Sequence, residues 1–404
     1  MGWIEHAVWW HVYPLGFCGA PIREEDPAPA PRLRRLLHWL DYAIELGTNG
    51  LLLGPVFTAG THGYDTLDHF AIDPRLGNAD DFDELIAACR ARGLRVVLDG
   101  VFSHVGRSHP DLVRALREGR GAPGAGRFDI DWERREPRVF EGHDGLARLD
   151  HRSEEALDYT TAVLTHWLDR GIDGWRLDAA YSVDPAFWRE ALGRTRERHP
   201  GAWFLAEVIH GDYGAFAKAS GVDAVTQYEL WKAIWSSLAD RNFYELDWSL
   251  RRHDRYVGDV GLNTFVGNHD VTRIATTVGP DGALAALAVL LTVGGVPSIY
   301  YGDEQGFTGV KEERLGGDDA VRPAFPDEPA QLAPWGERLH RAHQDLIGLR
   351  RRHPWLHSAT TEALTLTNTE YTYRVSGGGE HLDVALAGTD VRILDADGGV
   401  LWHS

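Results

Sequence analysis

Cysteine is scarce in this chain, with only Cys18 and Cys89 among 404 residues. A disulfide framework is therefore excluded, and we expect two reduced, buried thiols, although one bridge remains an alternative. The chain also lacks a basic region followed by a long apolar run near Met1. Its longest apolar stretch, at 283–293, is too short to cross a bilayer. The sequence therefore predicts a cytoplasmic protein that does not bind membranes.

Positive charge is the minority, since 41 Lys and Arg residues face 60 Asp and Glu residues and leave a net charge of −19. Such a surface repels phosphate groups, which argues against nucleic acids and anionic membranes as partners. Hydrophobic residues (43%) and charged residues (25%) occur in globular proportions, which excludes disordered, collagen-like and coiled-coil proteins. The 15 tryptophans, 13 tyrosines and 14 phenylalanines fit either a large core or a sugar-binding cleft.

Apolar strand-like runs alternate with amphipathic helical runs up to about residue 350. The candidate strands are 8–15, 50–56, 95–102, 174–177, 203–206, 224–226, 264–267 and 298–300. Helical patterns between them include 33–45, 79–92, 154–170 and 185–198. Eight such alternations predict the α/β class, with a parallel (β/α)8 TIM barrel.

Two segments depart from this alternation. Residues 105–150, after the third strand, are rich in Gly, Arg, Asp and Pro and predict a loop excursion or a short inserted subdomain. Residues 353–404 contain four short strand patterns, at 364–367, 371–375, 381–386 and 391–395, and predict a small antiparallel β domain. The barrel itself is expected to comprise 1–104 and 151–352.

Charged and polar residues occur where several predicted strands end. In a parallel barrel, the carboxyl ends of the strands meet at one face and form the active site. A single residue of this kind is more often a helix cap, a structural ion pair or a core histidine, but the set points to a site. Its members are Asp99, His104, Arg176, Asp178, Glu207, His269 and Asp270.

The fourth and fifth strands carry a pair of carboxylates with different surroundings. Arg176 and Asp178 are two residues apart on a strand, so they point to the same face, and the guanidinium should keep Asp178 ionised. An ionised carboxylate can act as a nucleophile. Glu207 has apolar sequence neighbours, which should raise its pKa and suit a general acid. Two carboxylates with these roles, roughly 5–5.5 Å apart, are typical of retaining glycosidases.

At these residues the sequence resembles the alpha-amylase superfamily, glycoside hydrolase family 13, over residues 9–304. The matching motifs, in chain order, are DGVFSH (99–104), GWRLDAA (174–180), AEV (206–208), FVGNHD (265–270) and GVPSIYYGDE (295–304). The segment HGYDT at 62–66, followed by DPRLG at 73–77, is most similar to the neopullulanase and cyclomaltodextrinase branch.

The resemblance implies three catalytic residues. Asp178 corresponds to the nucleophile that forms a glycosyl-enzyme intermediate, and Glu207 corresponds to the acid/base. Asp270 corresponds to a third carboxylate, which binds ring hydroxyl groups and helps to distort the sugar.

The resemblance also implies substrate-binding residues around the same glucosyl unit. Tyr64 should stack on the sugar ring, and His104 and His269 should hydrogen-bond to it. Arg176 should orient Asp178, and Asp99 should hold Arg176.

This chain departs from the family pattern at several places. Ser103 replaces the usual Asn that helps to bind a structural calcium, and a hydroxyl is a poorer ligand for a hard cation. We therefore expect no cofactor and no metal site there. Asp150 stands where the family's fifth region has Leu-Asn. Thr61 stands where exo-acting alpha-glucosidases carry an Asp that closes the pocket, which argues against a strict exo-glucosidase. We expect no N-terminal β domain of the kind that builds the branch's dimers, so the oligomeric state stays open.

Three functions remain for this chain. The first is a retaining α-glucan hydrolase that cleaves α-1,4 bonds in maltooligosaccharides, with α-1,6 and cyclic substrates also open. The second is a transglycosylase or sugar isomerase at the same site, similar to trehalose synthase. The third is a non-catalytic carbohydrate-binding barrel, which the complete set of carboxylates disfavours. The expected partner in each case is an oligosaccharide.

Overall fold

The computed structural model describes residues 2–23 and 28–404, and its centre is a closed barrel of eight parallel strands. We number these strands in chain order: β1 Trp9–Val12, β2 Gly50–Leu53, β3 Arg95–Val101, β4 Gly174–Asp178, β5 Trp203–Ala206, β6 Ala224–Thr226, β7 Gly261–Thr264 and β8 Val296–Tyr300. Each strand pairs with the next one in the chain, and β8 pairs with β1. The predicted TIM barrel is confirmed.

Three strands have a bound that differs by three residues from the sequence prediction. Strand β1 ends early because Pro14, which has no N–H group to donate, begins a short helix at Pro14–Phe17. Strand β2 likewise ends before Pro55. Strand β7 begins and ends three residues earlier than predicted, because the polar Asn263 interrupts the apolar run that would mark the strand. The side-chain amide of Asn263 donates to the carbonyl oxygen of Val296 at 3.0 Å, which satisfies it inside the barrel.

Helices surround the barrel and bury their apolar faces against it. Their bounds are Leu40–Leu46, Ala79–Ala91, Glu154–Asp169, Pro185–Arg198, Tyr213–Ser220, Tyr228–Ala239, Phe243–Asp254, Ile274–Thr292 and Glu337–Arg352. The pattern predicted at 33–45 is divided between a 3-10 helix, Arg32–Trp39, and the first of these helices. Asn78 caps the second, since its side chain accepts hydrogen bonds from the N–H groups of Asp80 and Asp81.

The helix Ile274–Thr292 is long and apolar enough to cross a membrane by length and composition alone. However, 67% of the most apolar 18-residue stretch of this helix is buried inside the protein. Gly279, with φ 73°, and Pro280 kink it near its start, and the residues from Gly282 to Thr292 are buried. This segment is therefore accounted for as a core helix of the barrel.

The segment after β3 folds into compact structure of its own. His104–Gly106, Val139–Phe140 and His143–Arg148 form a three-stranded antiparallel sheet. A helix, Pro110–Glu118, and a two-stranded ribbon, Ile130–Asp131 with Glu136–Pro137, complete it. A separate small hydrophobic cluster lies between these elements and includes Val105, Leu112, Ala115, Phe128 and Leu149. The segment is thus a packed insert and not an irregular excursion.

The C-terminal segment forms a five-stranded antiparallel sheet. Its strands are Thr360–Leu366, Glu370–Gly377, Glu380–Ala387, Asp390–Leu394 and Val400–His403. Four of them were predicted; the last was missed because it is a short edge strand with mostly exposed residues. Cys18 and Cys89 are both buried and unbonded, which confirms the expectation of free thiols.

Candidate active site

Asp178 and Glu207 extend from neighbouring strands at the same level of the barrel. Asp178 is the last residue of β4, and Glu207 directly follows the last residue of β5. The N–H group of Glu207 donates to the carbonyl oxygen of Leu177 at 3.0 Å. Neighbouring strands lie about 4.7–4.9 Å apart. The two side chains therefore extend from adjacent strands at one level, as the paired carboxylates of a retaining glycosidase, which lie roughly 5–5.5 Å apart, require.

The guanidinium of Arg176 links these carboxylates. One terminal nitrogen, Nη1, donates to Asp99 at 2.6 Å and to Asp178 at 3.2 Å. The other, Nη2, donates to Glu207 at 2.6 Å. All four side chains are buried. Arg176 therefore holds three carboxylates in place, of which Asp178 is the most distant.

The surroundings of Glu207 are more polar than its sequence neighbours suggested. Its Oε2 atom accepts a hydrogen bond from the N–H group of Ala179 at 2.8 Å, and its Oε1 atom accepts one from the Tyr228 hydroxyl at 3.0 Å. Ala179 adopts the left-handed region (φ 44°, ψ 36°), which is unfavourable for a residue with a Cβ atom. The strained backbone thus aims a donor at the carboxylate. An apolar pocket around Glu207, as expected from its sequence, does not exist.

A chain of hydrogen bonds connects this pair to the third carboxylate. Asp99, which binds Arg176, also accepts a bond from the hydroxyl of Tyr64 at 3.0 Å. The same hydroxyl is hydrogen-bonded to Nε2 of His269. The His269 Nε2 atom also lies 2.9 Å from Oδ2 of Asp270. The structure therefore gathers Asp178, Glu207 and Asp270 around one site, as the sequence analysis required.

Asp270 has a cationic neighbour that the sequence analysis did not identify. Arg322 donates from Nη2 to Asp270 at 2.9 Å and from Nε to the carbonyl oxygen of His269 at 2.9 Å. Burial alone would raise the pKa of Asp270, but His269 and Arg322 outweigh it and hold this pKa well below its usual range. About a third of the Asp270 side chain (35%) is exposed, so an ionised carboxylate faces the cleft.

The ionisation of Asp178 differs from the sequence expectation. Burial and the nearby Glu207 carboxylate raise the pKa of Asp178 well above its ordinary value, although Arg176 acts in the opposite direction. Arg176 thus acts on this pKa in the predicted direction, but burial and Glu207 outweigh it. The reason is that the guanidinium is shared with Asp99 and Glu207, both at shorter distances.

Tyr64 and His104 lie beside this network, with Tyr64 buried against His269. The rings of Tyr64 and His269 are nearly parallel (3°), with centroids 5.1 Å apart. His104 donates from Nε2 to the carbonyl oxygen of Tyr64 at 2.9 Å, while its Nδ1 atom lies 2.8 Å from the hydroxyl of Ser103. Burial lowers the pKa of His104 to about 4, so its ring is neutral at pH 7. Both ring nitrogens are engaged, so a direct bond to a sugar requires one of these contacts to break.

The residues at the usual calcium position do not fit that ion. The hydroxyl of Ser103, which replaces the family's calcium-binding Asn, is bonded to Nδ1 of His104 at 2.8 Å. Within residues 2–23 and 28–404, no cluster of three or more His, Cys, Asp or Glu side chains could hold a metal ion. No step of the chemistry is therefore assigned to a metal.

Two residues of the site were missed by the sequence analysis. Tyr228 comes two residues after β6 ends at Thr226, so the rule that strand ends carry site residues could have found it. Asn268 also donates to the Tyr228 hydroxyl, at 3.0 Å. Arg322 lies in a long connection after β8 that contains no barrel strand, and no sequence signal marks it.

Comparison with known protein families gives one match that covers most of the chain. The model described as the alpha amylase catalytic domain matches residues 32–122 and 127–345. A cyclomaltodextrinase from a Bacillus species is 30% identical over 404 residues, which cover 90% of this chain and 69% of that enzyme. An intracellular maltogenic amylase from Bacillus subtilis is 28% identical over 76% of this chain and 56% of its own length. The chain thus spans between about half and two thirds of these relatives.

Among solved structures, a cyclic alpha-maltosyl-(1→6)-maltose hydrolase from Arthrobacter globiformis matches the full length of the chain. Its TM-score is 0.83 with 25% sequence identity, and the match covers 100% of this chain and 99% of that one. The same enzyme has been solved in complex with its cyclic substrate and with maltose. The similarity therefore includes the insert and the C-terminal sheet as well as the barrel.

Proposed function

This chain belongs to the alpha-amylase family of glycoside hydrolases, and from that premise we propose that it hydrolyses α-glucosidic bonds in maltooligosaccharides with retention of the anomeric configuration. The observation that carries the proposal is the placement of Asp178 and Glu207 at the same level of adjacent strands, with both held by Arg176. Maltooligosaccharides, including cyclic and α-1,6-linked forms, are the proposed substrates.

In the first step, a carboxylate oxygen of Asp178 attacks the anomeric carbon of the glucosyl unit. The bond between that carbon and the glycosidic oxygen breaks, and protonated Glu207 donates its proton to the departing oxygen. The products of this step are a free sugar hydroxyl and a glucosyl ester of Asp178. The anomeric carbon of this ester can then be attacked by water.

In the second step, Glu207 acts as a base. It takes a proton from a water molecule, whose oxygen attacks the anomeric carbon and releases the Asp178 carboxylate. Two inversions restore the original α configuration. Glu207 regains its proton in this step, so both carboxyl groups return to their starting states.

The remaining side chains support charge and orientation during these steps. The positive charge that develops on the sugar ring lies near Asp270, which His269 and Arg322 keep ionised. Tyr64 presents its ring at the floor of the site, beside His269. Asp99 fixes Arg176 from the side opposite to Glu207. These roles follow the contacts described above and the family resemblance.

The names of the relatives support the choice of substrate class. They include a cyclomaltodextrinase and a hydrolase of cyclic alpha-maltosyl-(1→6)-maltose, so both cyclic and α-1,6-linked glucans are reasonable substrates for this chain. The intracellular maltogenic amylase supports a cytoplasmic location. We also propose that activity requires no calcium, because Ser103 replaces the family's calcium-binding Asn and its hydroxyl is bonded to His104.

The test is a product profile on linear, cyclic and branched substrates: maltotriose, cyclodextrins, pullulan and starch. Reducing sugar should appear with at least one of them and should be absent with Asp178→Ala. A matched control is Asp240→Ala, which changes an exposed aspartate at a helix end. Absence of release above the Asp178→Ala background on every substrate would refute the proposal. Longer oligomers or trehalose from concentrated maltose would instead support the transglycosylase or isomerase.

A further inference from the structure

The tip of the insert reaches across to the barrel next to the catalytic carboxylates. Strands Val139–Phe140 and His143–Arg148 form a hairpin in which Phe140 pairs with His143. The two turn residues, Glu141 and Gly142, have φ angles of 47° and 82°. Positive φ at both positions is the pattern of a two-residue type I′ turn, so the tip is narrow and has a defined direction.

This tip makes contact on both of its sides. The ring of Phe140 packs on the ring of His104, with centroids 4.3 Å apart. On the other side, Oε1 of Glu141 accepts a hydrogen bond from the hydroxyl of Tyr181 at 3.0 Å. The hairpin therefore spans from His104, the first residue of the insert's three-stranded sheet, to Tyr181, in the loop after β4.

Tyr181 is placed beside the proposed acid/base. It follows Asp178 by three residues, and its N–H group donates to the carbonyl oxygen of Glu207 at 3.3 Å. Burial and the Glu141 carboxylate raise the pKa of the Tyr181 hydroxyl, and the charges of Glu207 and Asp178 add to this effect. Glu207 is proposed to protonate the departing sugar, so a residue hydrogen-bonded to Glu207 lies close to the place where that sugar leaves.

Glu141 is an unfavourable residue for its own backbone position. Glycine and asparagine are the usual residues where a type I′ turn needs positive φ, and a side chain such as glutamate adds strain there. The bond to Tyr181 is the contact of the Glu141 side chain that offsets this strain. The pairing therefore has the features of a functional contact between the insert and the barrel.

We propose that the Glu141–Tyr181 hydrogen bond is a clasp that narrows the leaving-group side of the cleft and selects short glucans over long ones. The proposal rests on the hydrolase function above and names the substrate size that the site prefers. With the clasp closed, a long glucan chain meets the hairpin tip beyond the cleaved bond, while a short one does not reach it. Opening the clasp should improve cleavage of polymers.

The test compares kcat/KM on soluble starch with kcat/KM on maltotriose. Tyr181→Phe removes the hydroxyl and keeps the ring, and Glu141→Gly removes the carboxylate and relieves the turn. Each should raise the starch-to-maltotriose ratio by roughly two- to tenfold, the change that corresponds to loss of one hydrogen bond. Glu141→Gln, whose amide oxygen can still accept the bond, should keep the ratio of the original protein.

A control variant and a second readout complete the test. Arg135→Gly relieves backbone strain at another residue with positive φ (55°), in the turn between the strands Ile130–Asp131 and Glu136–Pro137. This variant should leave the starch-to-maltotriose ratio unchanged. In an Asp178→Asn background, calorimetry should show that Tyr181→Phe tightens binding of maltoheptaose more than binding of maltose. An unchanged ratio in both Tyr181→Phe and Glu141→Gly would overturn the clasp and leave the hydrolase function intact. A chain that neither cleaves nor binds any of these glucans would overturn both.

Discussion

The guanidinium of Arg176 lies closer to Glu207, at 2.6 Å, than to Asp178, at 3.2 Å. The arginine therefore does more than orient the nucleophile, because it holds the acid/base and Asp99 as well. Its planar fork allows one cation to meet three carboxylates, which a single ammonium group does not reproduce.

Arg176→Lys should for this reason impair catalysis strongly. We expect kcat/KM on maltotriose to fall about 100-fold or more, with most of the loss in kcat, because hydrogen bonds to charged groups contribute about 1.5–3 kcal/mol each. Steady-state kinetics measure the change. Arg252→Lys, which alters an ion pair with Glu229 outside the site, is the control and should behave like the original protein. Full activity of Arg176→Lys would mean that the shared guanidinium does not organise the site.

Glu207→Gln should separate the acid role from the rest of the machinery. On maltotriose, whose leaving group needs a proton, activity should fall by roughly 10²–10⁴-fold. On α-maltosyl fluoride, whose fluoride leaves without a proton, formation of the glycosyl-enzyme should be much less affected. Release of fluoride ion gives the measurement. Equal losses on both substrates would contradict the assignment of Glu207 as the acid.

The pH dependence of the same reaction reports on Asp178. The attacking carboxylate must be ionised, and burial together with Glu207 raises the pKa of Asp178, so activity should fall at a higher pH than the ordinary Asp value of about 3.9 predicts. Glu207→Gln removes one of the charges that raise this pKa. The acid limb of the rate on α-maltosyl fluoride should therefore move to lower pH in that variant. Movement to higher pH would show that Glu207 does not act on Asp178 in this way.

The sequence was most informative where a local pattern determines the structure. The bounds of β5, β6 and the helix Pro185–Arg198 agree with the prediction, because each is a short apolar run or an amphipathic run with clear ends. The predicted position of strand β7 was wrong by three residues, because the polar Asn263 interrupts the apolar pattern of the strand. The Asn263 side chain donates a hydrogen bond to the neighbouring strand, which the sequence does not show.

In the candidate site, too, the residues marked by local sequence patterns could be predicted, while the contacts that depend on the fold could not. Asp178, Glu207 and Asp270 could be identified because strand ends and family motifs mark them. The sharing of Arg176 could not, since it depends on the register that places Arg176 between Asp99 and Leu205 of neighbouring strands. Arg322 could not be found either, because a long connection brings it to Asp270 from a distant part of the chain.

Asp254 provides a test of stability away from the active site. Burial raises the pKa of Asp254 to about 6, and its Oδ2 atom accepts bonds from the N–H and hydroxyl groups of Thr361 at the junction with the C-terminal sheet. Between about pH 4 and this pKa the folded state binds more protons than the unfolded state, so stability falls as the pH rises through that window.

Asp254→Asn should therefore stabilise the protein at pH 8 by about 1 kcal/mol, because the amide oxygen can accept the same bonds without a buried charge. The gain should disappear at pH 4, where Asp254 is protonated. Urea unfolding at the two pH values measures both effects. Asp259→Asn, a change at an exposed position, serves as the control. A variant that is less stable than the original protein at pH 8 would contradict this reading of Asp254.

Trapping of the covalent intermediate tests the central claim most directly. A 5-fluoro-α-glucosyl fluoride forms a glycosyl-enzyme that hydrolyses slowly, and peptide mass spectrometry locates the attached sugar. The account predicts that the sugar is found on Asp178. A label on Asp270 or another residue, or initial release of the β-anomer from maltotriose, would contradict a retaining mechanism that uses Asp178 and Glu207.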